Sequence, residues 1–377
     1  MSRSIPSRIR PSRRAAVAVA LALATLTSAC ASAAGSSSKP ARTSAVPSWT
    51  RTVPGWPTSV VATPDGEGVV VVSGDSTVTA IDARGARRWA TRVDGVSLED
   101  PSVGGGVVAV PAGDRLVALD PSDGSVRFRA DVPTEVGAVL ATRVGRSALV
   151  VDATFDGMLE TRAASDGHVI WTTRDDGEVR SRPVVDARTR TVVAVWFTHD
   201  GSTVRAFDAG TGALRWQRVV PPYASAPVVV DGRVVLGAGD DDYVSAAHAF
   251  DLVDGTEAWT TRMPASFEPG LEPVVAGRDV VLVDHFGAVT SIDARTGVQR
   301  WQTGTGAATL DARPVVGAES VVVTTGAREV VWLDRATGVV RSRWAPPGVP
   351  EAIARAGGSV VVGLRRTEPG RVEAHAL

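Results

Sequence analysis

The chain alternates short apolar runs with turn-forming residues along most of its length. Residues 69–72 are four valines, Gly74-Asp75 follows them, and a second strand-like run covers 77–81. Valine-rich runs of this length, bounded by Gly, Pro and Asp, are typical of β-strands joined by tight turns. No segment carries the 3.6-residue period of an amphipathic helix. The pattern therefore predicts an all-β protein made of short antiparallel strands.

One sequence element recurs: an apolar residue, Asp, two variable residues, Thr or Asp, Gly, three variable residues and Trp. Its clearest copies run from Asp208 to Trp216 and from Asp293 to Trp301. A period of about 40 residues accommodates four short strands per repeat, as in a propeller blade. The glycine recurs every 39 to 45 residues, at Gly85, Gly124, Gly167, Gly212, Gly255, Gly297 and Gly338.

Each part of this element has a mechanical role. Asp accepts hydrogen bonds from backbone amides two or three residues further on, and Gly takes the positive φ that closes the turn. The element is therefore a hairpin, and the aromatic residue in its second strand is a rigid plate for packing one blade on the next. The expected blade-docking residues are Trp49, Trp89, Phe128, Trp171, Trp216, Trp259 and Trp301, with Ser342 at a degenerate eighth position.

The two ends of the chain complement each other. The C-terminal segment 375–377 resembles 248–250 but stops where the Asp-Gly turn and the Trp strand are due. A matching strand stands at the other end, where 49–53 resembles 89–93. Joining the ends closes the ring and removes open sheet edges. We predict a β-propeller over residues 48–377, with eight four-stranded antiparallel blades, the last one closed by the N-terminal strand.

Residues 1–29 have the layout of a secretory signal peptide. Five Arg precede an apolar run over 15–26 that is too short to span a bilayer permanently. The following Thr-Ser-Ala-Cys resembles a bacterial lipobox, with Cys30 as the lipidated residue; an ordinary signal peptide cut nearby is the alternative. Residues 30–47 are small and polar, which predicts a lipidated flexible tether. The expected location is the outer face of the cell membrane, reached by Sec or by twin-arginine export.

Composition narrows the possible partners and chemistry. The net charge is −1, and beyond residues 1–29 the chain has 35 basic and 41 acidic residues. Nucleic-acid binding needs a clustered basic surface, so that partner class is excluded. Cys30 is the only cysteine, which excludes an internal disulfide. We expect a monomer without a metal site, since the five histidines (168, 199, 248, 285 and 375) fall in different repeats.

The repeats resemble the PQQ-repeat, or quinoprotein-like, propeller family. The resemblance rests on Pro-Val-Val first strands at 183–185, 227–229 and 273–275, each followed by the Asp-Gly-Trp turn, and covers roughly residues 48–377. The family's enzymes hold pyrroloquinoline quinone (PQQ) over a calcium ion, with Glu and Asn ligands and a catalytic Asp. Asn is absent from this chain, so neither PQQ nor calcium is expected. The closer likeness is to the family's non-catalytic lipoproteins, such as BamB of outer-membrane protein assembly.

The first strand of each propeller blade lines the central channel, so the residues just before it approach the axis at one mouth. The aligned positions carry alternating charge at Asp100, Arg182, Glu272 and Arg313, with Ala226 between them. These charges indicate either a funnel that binds a polar ligand or peptide, or a ring of mutually satisfied ion pairs, which we favour. Loops on a rigid scaffold often carry function. The candidate loop contacts are Glu99, Arg180, Tyr223, Phe267 and Glu268.

Acidic residues also recur between the second and third strands of the repeats. The run Asp240-Asp241-Asp242 lacks the spacing of a calcium loop, and turn formation explains it. Six such turns would place negative charge on one face and steer a basic partner towards it. The equivalent positions are Asp75, Asp114, Asp156, Asp200 and Asp284.

These patterns predict a membrane-anchored, non-catalytic scaffold outside the cytoplasm that binds an exported protein through its loops and funnel mouth. Two alternatives stay open: a PQQ-dependent oxidoreductase, and a sensor that binds a small ligand in the funnel.

Overall fold

A computed structural model describes residues 46–97, 99–179, 181–198, 201–240, 244–263, 272–310, 312–365 and 369–377. All regular elements in these ranges are β-strands. The same ranges contain no helix with the length and apolarity that crossing a membrane requires. The strands form eight antiparallel sheets around a ring, and each sheet is one blade.

The first strand, β1 (Trp49–Val53), belongs to the last blade, and blades 1 to 4 follow it in chain order. Blade 1 is β2 (Pro57–Ala62), β3 (Gly68–Ser73), β4 (Thr77–Asp82) and β5 (Arg87–Arg92). Blade 2 is β6 (Ser102–Gly104), β7 (Val107–Pro111), β8 (Arg115–Leu119) and β9 (Val126–Asp131). Blade 3 is β10 (Val136–Val144), β11 (Ser147–Thr154), β12 (Met158–Ala163) and β13 (Val169–Arg174). Blade 4 is β14 (Val184–Asp186), β15 (Thr191–Thr198), β16 (Gly201–Asp208) and β17 (Leu214–Val220).

Blades 5 to 8 complete the ring. Blade 5 is β18 (Tyr223–Ala224), β19 (Val228–Val230), β20 (Arg233–Gly239), β21 (Ser245–Asp251) and β22 (Glu257–Arg262). Blade 6 is β23 (Val274–Ala276), β24 (Asp279–Val283), β25 (Ala288–Asp293) and β26 (Gln299–Gly304). Blade 7 is β27 (Val315–Val316), β28 (Ser320–Thr325), β29 (Glu329–Asp334) and β30 (Val340–Trp344). Blade 8 is β31 (Val349–Ala356), β32 (Ser359–Arg365), β33 (Gly370–Ala376) and β1.

Blade 5 departs from the expected four strands because its inner strand is divided. Tyr223 in β18 lies opposite Gly239, and Val228 in β19 lies opposite Val235, both on β20. Pro227 stands between the two pieces, and a proline has no amide hydrogen to donate to the ladder. The blade keeps its place and its strand order.

The two ends of the propeller meet in blade 8, whose strand order is β1-β33-β32-β31. β1 runs antiparallel to β33, with Trp49 opposite Ala374 and Val53 opposite Gly370. The amide of Ser48 extends the ladder by donating to the Ala374 carbonyl at 2.8 Å. The predicted eight-bladed ring, closed by the N-terminal strand, is confirmed.

The apolar core lies between neighbouring blades. In β3, Val69 and Val71 pack towards blade 8, whereas Val70 and Val72 pack towards blade 2. Successive side chains of a strand point to opposite faces, and here both faces are covered. This double burial explains why the inner strands are unbroken valine runs rather than alternating apolar and polar residues.

The aromatic residue of a fourth strand lies on the glycine turn of the next blade. The indole N–H of Trp216 donates to the Leu252 carbonyl at 3.0 Å, and its ring covers Gly255. Gly255 has a φ of +69°, and a Cβ there would lie 2.6 Å from the indole, so the turn requires glycine. The same contact joins Trp49 to Gly85, Trp89 to Gly124, Phe128 to Gly167, Trp171 to Gly212, Trp259 to Gly297 and Trp301 to Gly338.

Candidate functional site

Connections between strands fall on two faces of the ring, because each strand runs opposite to its neighbour. The Asp-Gly turns share one face with the turns between first and second strands; we call it the turn face. The turns between second and third strands and the links between blades share the other, the mouth face. Arg182 and Glu272 precede β14 and β23 and therefore stand at the mouth face.

The inner strands enclose a central cavity of about 990 Å³, which we call the funnel. Its walls carry apolar side chains, including Val60, Val139, Leu140, Val274 and Ile353, and the described lining also holds four acidic and four basic side chains. Most of these charged side chains stand near the mouth face. A cavity of this volume that offers both apolar and charged surface can accept a small molecule or a peptide segment.

The four charged residues expected at the funnel form one chain of ion pairs. Arg182 lies between two carboxylates: its Nη2 is 3.7 Å from Oδ2 of Asp100, and its Nε is 3.6 Å from Oε1 of Glu272. The other oxygen of Glu272, Oε2, lies 3.2 Å from Nε of Arg313. The structure thus brings together residues from blades 2, 4, 6 and 7. Ala226, from blade 5, is buried and adds no charge.

A further ion pair on the funnel wall, between Glu351 and Arg365 of blade 8, was missed from the sequence. Glu351 follows Pro350 near the start of β31, where the strand reads Val-Pro-Glu instead of Pro-Val-Val. Aligning the prolines places Val349, and not Glu351, with the other mouth residues, so the repeat gave no signal for Glu351. Arg365 has no signal either, because it ends a second strand.

Glu99 also lines the funnel, beside Asp100. It is half-buried, and the described residues give it no ion pair or hydrogen bond. Burial, together with the negative charges of Asp100 and Glu135, raises the pKa of Glu99 to about 7. An isolated carboxylate that loses water and faces like charges is harder to ionise.

The other expected loop contacts are only partly placed. Tyr223 is 45% exposed at the mouth face. Arg180, Phe267 and Glu268 lie outside the described residues, as does Cys30. The structure adds two exposed aromatic residues at this face, Trp56 (50%) and Phe286 (56%). Single aromatic residues in loops have no repeat signal, which is why sequence patterns missed them.

The recurring acidic turns hold their own backbone. Oδ1 of Asp75 accepts the Thr77 amide at 3.1 Å, and Oδ1 of Asp284 accepts the Ala288 amide at 2.6 Å. Oδ1 of Asp240 likewise accepts the Val244 amide at 2.9 Å. Asp200, Asp241 and Asp242 lie outside the described residues.

Acidic residues recur around the mouth face, and its exposed aromatic residues lie among them near blades 1, 5 and 6. The described acidic residues of this face are Asp75, Asp94, Glu99, Asp100, Asp114, Asp131, Glu135, Asp156, Asp175, Asp176, Glu178, Asp240, Glu272, Asp284, Glu329 and Glu351. The mouth face therefore displays exposed apolar rings together with acidic side chains.

Three of the four histidines in the described residues make separate local contacts. Nδ1 of His168 lies 2.7 Å from Asp166, Nδ1 of His248 lies 3.1 Å from Thr260, and His375 is buried. Within the described ranges, no three His, Cys, Asp or Glu residues are grouped to hold a metal ion. His199 lies outside those ranges.

Comparison with known proteins gives a family match across the propeller. Residues 41–194, 114–225 and 156–376 each match the family described as outer membrane protein assembly factor BamB. Overlapping matches are expected of a repeat protein, since a shifted alignment pairs other blades equally well.

Curated relatives come from two kinds of protein. The chain is 32% identical over 173 residues to the serine/threonine-protein kinase AfsK of Streptomyces griseus, covering 41% of this chain and 20% of the kinase. It is 28% identical over 277 residues to BamB of Burkholderia pseudomallei, covering 67% of this chain and 70% of that protein. The chain thus spans about a fifth of the kinase's length.

Solved structures agree on the architecture. BamB from Moraxella catarrhalis superposes with a TM-score of 0.70 at 18% identity, covering 88% of this chain and 100% of that one. At that identity the likeness shows the fold alone. The family match, however, extends over nearly the whole ring, and we conclude that this chain belongs to the family of BamB-like PQQ-repeat propellers.

Proposed function

We propose that the protein is a non-catalytic scaffold that binds another exported protein at the mouth face of its propeller. The observation that carries the proposal is the mouth face itself, where a rigid ring displays exposed aromatic rings among acidic side chains. Membership of the BamB-like family supports a protein-binding role in general. The relative from Burkholderia pseudomallei is named as an outer membrane protein assembly factor.

The chemistry of the mouth face suits a protein partner. Trp56, Tyr223 and Phe286 are each about half exposed, and aromatic residues are enriched where proteins meet. The acidic side chains of this face would speed the approach of a partner with a basic surface. The ring fixes these side chains relative to one another, so little conformational entropy is lost on binding.

Site-specific photo-crosslinking in intact cells tests this proposal. A photoreactive amino acid at Phe286, on the mouth face, is expected to yield one repeated adduct that mass spectrometry identifies. The matched control is Val298, which is as exposed (58%, against 56% for Phe286) but lies on the turn face. Equal capture from both positions, or no adduct from Phe286 and Tyr223, would contradict a mouth-face partner.

We further propose that a lipid on Cys30 anchors the scaffold to the outer face of the cell membrane, with residues 30–47 as the tether. The arginine-rich segment, the apolar run and the Thr-Ser-Ala-Cys sequence support this. Replacing Cys30 by Ser is expected to move the protein from the membrane fraction to the soluble exported fraction. Unchanged fractionation, or wild-type protein that takes up no labelled fatty acid, would refute the anchor.

The funnel does not fit the quinone and calcium of the family's enzymes. Asp100, Glu272 and Glu351 each face an arginine, and the described residues hold no group of three potential metal ligands. We therefore expect PQQ with calcium to leave the melting temperature unchanged and to produce no dye reduction with alcohols or sugars. A rise in melting temperature would favour the oxidoreductase alternative.

A further inference from the structure

Glu99 differs from the other carboxylates that line the funnel. Asp100 faces Arg182, Glu272 faces Arg182 and Arg313, and Glu351 faces Arg365. Glu99 lines the same cavity without an ion pair or hydrogen bond to any described residue. The arginines Arg182, Arg313 and Arg365 are thus paired with other acids, and Glu99 is a half-buried carboxylate that no described arginine neutralises.

The surroundings of Glu99 favour the arrival of a positive charge. Asp100 stands next to it and Glu135 is close enough to act on it, so both add negative charge, while Arg182 is engaged by Asp100 and Glu272. A half-buried carboxylate among like charges is costly to ionise, and a cation beside it removes that cost.

Apolar surface lies within the same cavity. Val139 and Leu140 of β10 and Val60 of β2 form part of its wall. A cavity of about 990 Å³ admits a group of side-chain size together with the chain that carries it. Charge at the rim and apolar walls further in suit a ligand whose cationic end is joined to a hydrocarbon stem.

We propose that the funnel is a binding site for an organic cation, a primary ammonium or guanidinium group on an apolar stem, with Glu99 as its charged anchor. The cation lies against Glu99 near Asp100, and the stem packs on Val139 and Leu140. A lysine or arginine side chain of a polypeptide and a free alkyl amine share this chemistry. The site does not depend on the scaffold role, because the funnel can hold a cation whether or not the mouth face docks a protein.

Ligand-observed NMR on the purified full-length protein tests the site with matched probes. Nα-acetyl-lysine amide and Nα-acetyl-norleucine amide share most of a side chain and differ in the terminal charge. At pH 8 we expect the lysine probe to bind at least fivefold more tightly than the norleucine probe. 1,5-Diaminopentane, added as a third probe, distinguishes a free amine from a peptide-borne one: tighter binding than the lysine probe indicates the free amine, and weaker binding indicates the polypeptide side chain.

Two variants assign the effect to Glu99. Glu99→Gln is expected to weaken lysine-probe binding at least tenfold at pH 8 without changing the melting temperature. Glu67→Gln, an exposed acid on the turn face, is the control and is expected to bind as the wild type does. Because burial and the two neighbouring acids raise the pKa of Glu99 to about 7, wild-type affinity should fall as pH drops from 8 to 6, whereas the Gln variant should lose this dependence.

The same measurements can contradict the cation site, the scaffold role or both. Equal affinity for the lysine and norleucine probes, or undiminished lysine binding by Glu99→Gln, would overturn the proposal. Loss of cation binding in Glu99→Gln with the Phe286 crosslink retained would leave the scaffold intact and place the two sites apart. Retained cation binding with no crosslinked partner would refute the scaffold and keep the funnel site.

Discussion

Seven of the eight interfaces between neighbouring blades are packed in one way, and the eighth is packed in another. At the seven, an aromatic plate near the start of the fourth strand lies on the glycine turn of the next blade. At the eighth, between blades 7 and 8, the next blade has no such turn between β33 and β1. Ser342 stands at the plate position, and Trp344, two residues further along, packs against His375 with ring centroids 3.9 Å apart.

The two kinds of interface also differ in their polar contacts. Trp216, Trp259 and Trp301 each donate their indole N–H to a backbone carbonyl at 2.9–3.0 Å. In the described part of the eighth interface, Nε1 of Trp332 and Nδ1 of His375 are buried without a hydrogen-bond partner. The repeated interfaces are thus stabilised by the contact between plate and turn, whereas the eighth depends on apolar packing between blades 7 and 8 without that contact.

Removing the closing strand should have the largest effect, because β1 completes blade 8 and carries the Trp49 plate that packs on blade 1. Deletion of 47–53 strips β33 of one of its two neighbouring strands and exposes a strand edge to aggregation. We expect a loss of about 5 kcal/mol or more, comparable with the whole stability of many domains, measured by chemical denaturation. A deletion of 40–45 controls for chain shortening and should be neutral. A wild-type unfolding curve for the 47–53 deletion would show that the ring does not need β1.

Truncating a plate compares the repeated interfaces with the eighth. Trp216→Ala removes a buried ring and leaves the Leu252 carbonyl without its donor, so we expect a loss of about 3–5 kcal/mol. Ser342→Ala, at the equivalent position of blade 7, should change stability by less than about 0.5 kcal/mol. If thermal denaturation shows equal losses of stability for the two variants, the plate position contributes as much to the eighth interface as to the others.

A glycine substitution separates the plate contact from backbone strain. Gly255→Ala combines a positive φ with a Cβ 2.6 Å from Trp216, and we expect a loss of about 2–4 kcal/mol. Gly66→Ala has a similar φ of +71° but nothing within 4 Å of the added Cβ, so about 1 kcal/mol is expected. The difference between the two denaturation midpoints reports the contact alone.

The eighth interface should be sensitive to pH through His375. Burial lowers the pKa of His375, and Glu373, at 3.2 Å, opposes that shift only in part. The unfolded state therefore binds a proton more readily, and stability should fall as pH drops below about 6.5. Arg371, paired with Glu373, and the neutral Trp344 complete the surroundings.

His375→Phe keeps an aromatic ring and removes this titration. Relative to the variant, the wild type should lose on the order of 1 kcal/mol between pH 7.5 and 5.5. Asp152, whose pKa is raised to about 7 chiefly by burial, contributes a slope of opposite sign, which cancels in the difference. If the stabilities of the two proteins fall in parallel with pH, protonation of His375 does not weaken the eighth interface.

Sequence patterns were most informative where the determining contacts are local. Asp208 and Asp293 hold turns of their own blade, and the Gly-to-Trp spacing repeats in each copy, so strands, turns and blade number were predictable. The divided inner strand of blade 5 was not predicted, because Pro183 and Pro273 occupy the position of Pro227 in blades whose described residues form one undivided inner strand. The pairing of Glu351 with Arg365 was missed because Arg365 has no counterpart in the repeat.

The sequence alone determined the blades, their number and the closure of the ring. Hydrogen bonds within a turn require the same Asp and Gly in each repeat, and burial of both faces of an inner strand requires the same apolar run, so both patterns recur along the sequence. The sequence also indicated that four charged residues gather at one mouth of the funnel, whereas the tertiary structure alone decided which of them pair. Asp100, Arg182, Glu272 and Arg313 come from four blades, and their pairing depends on the width of the ring and the reach of each side chain. It also decided that Glu99 has no ion-pair or hydrogen-bond partner among the described residues. The width of the ring and the reach of a side chain cannot be inferred from any one repeat.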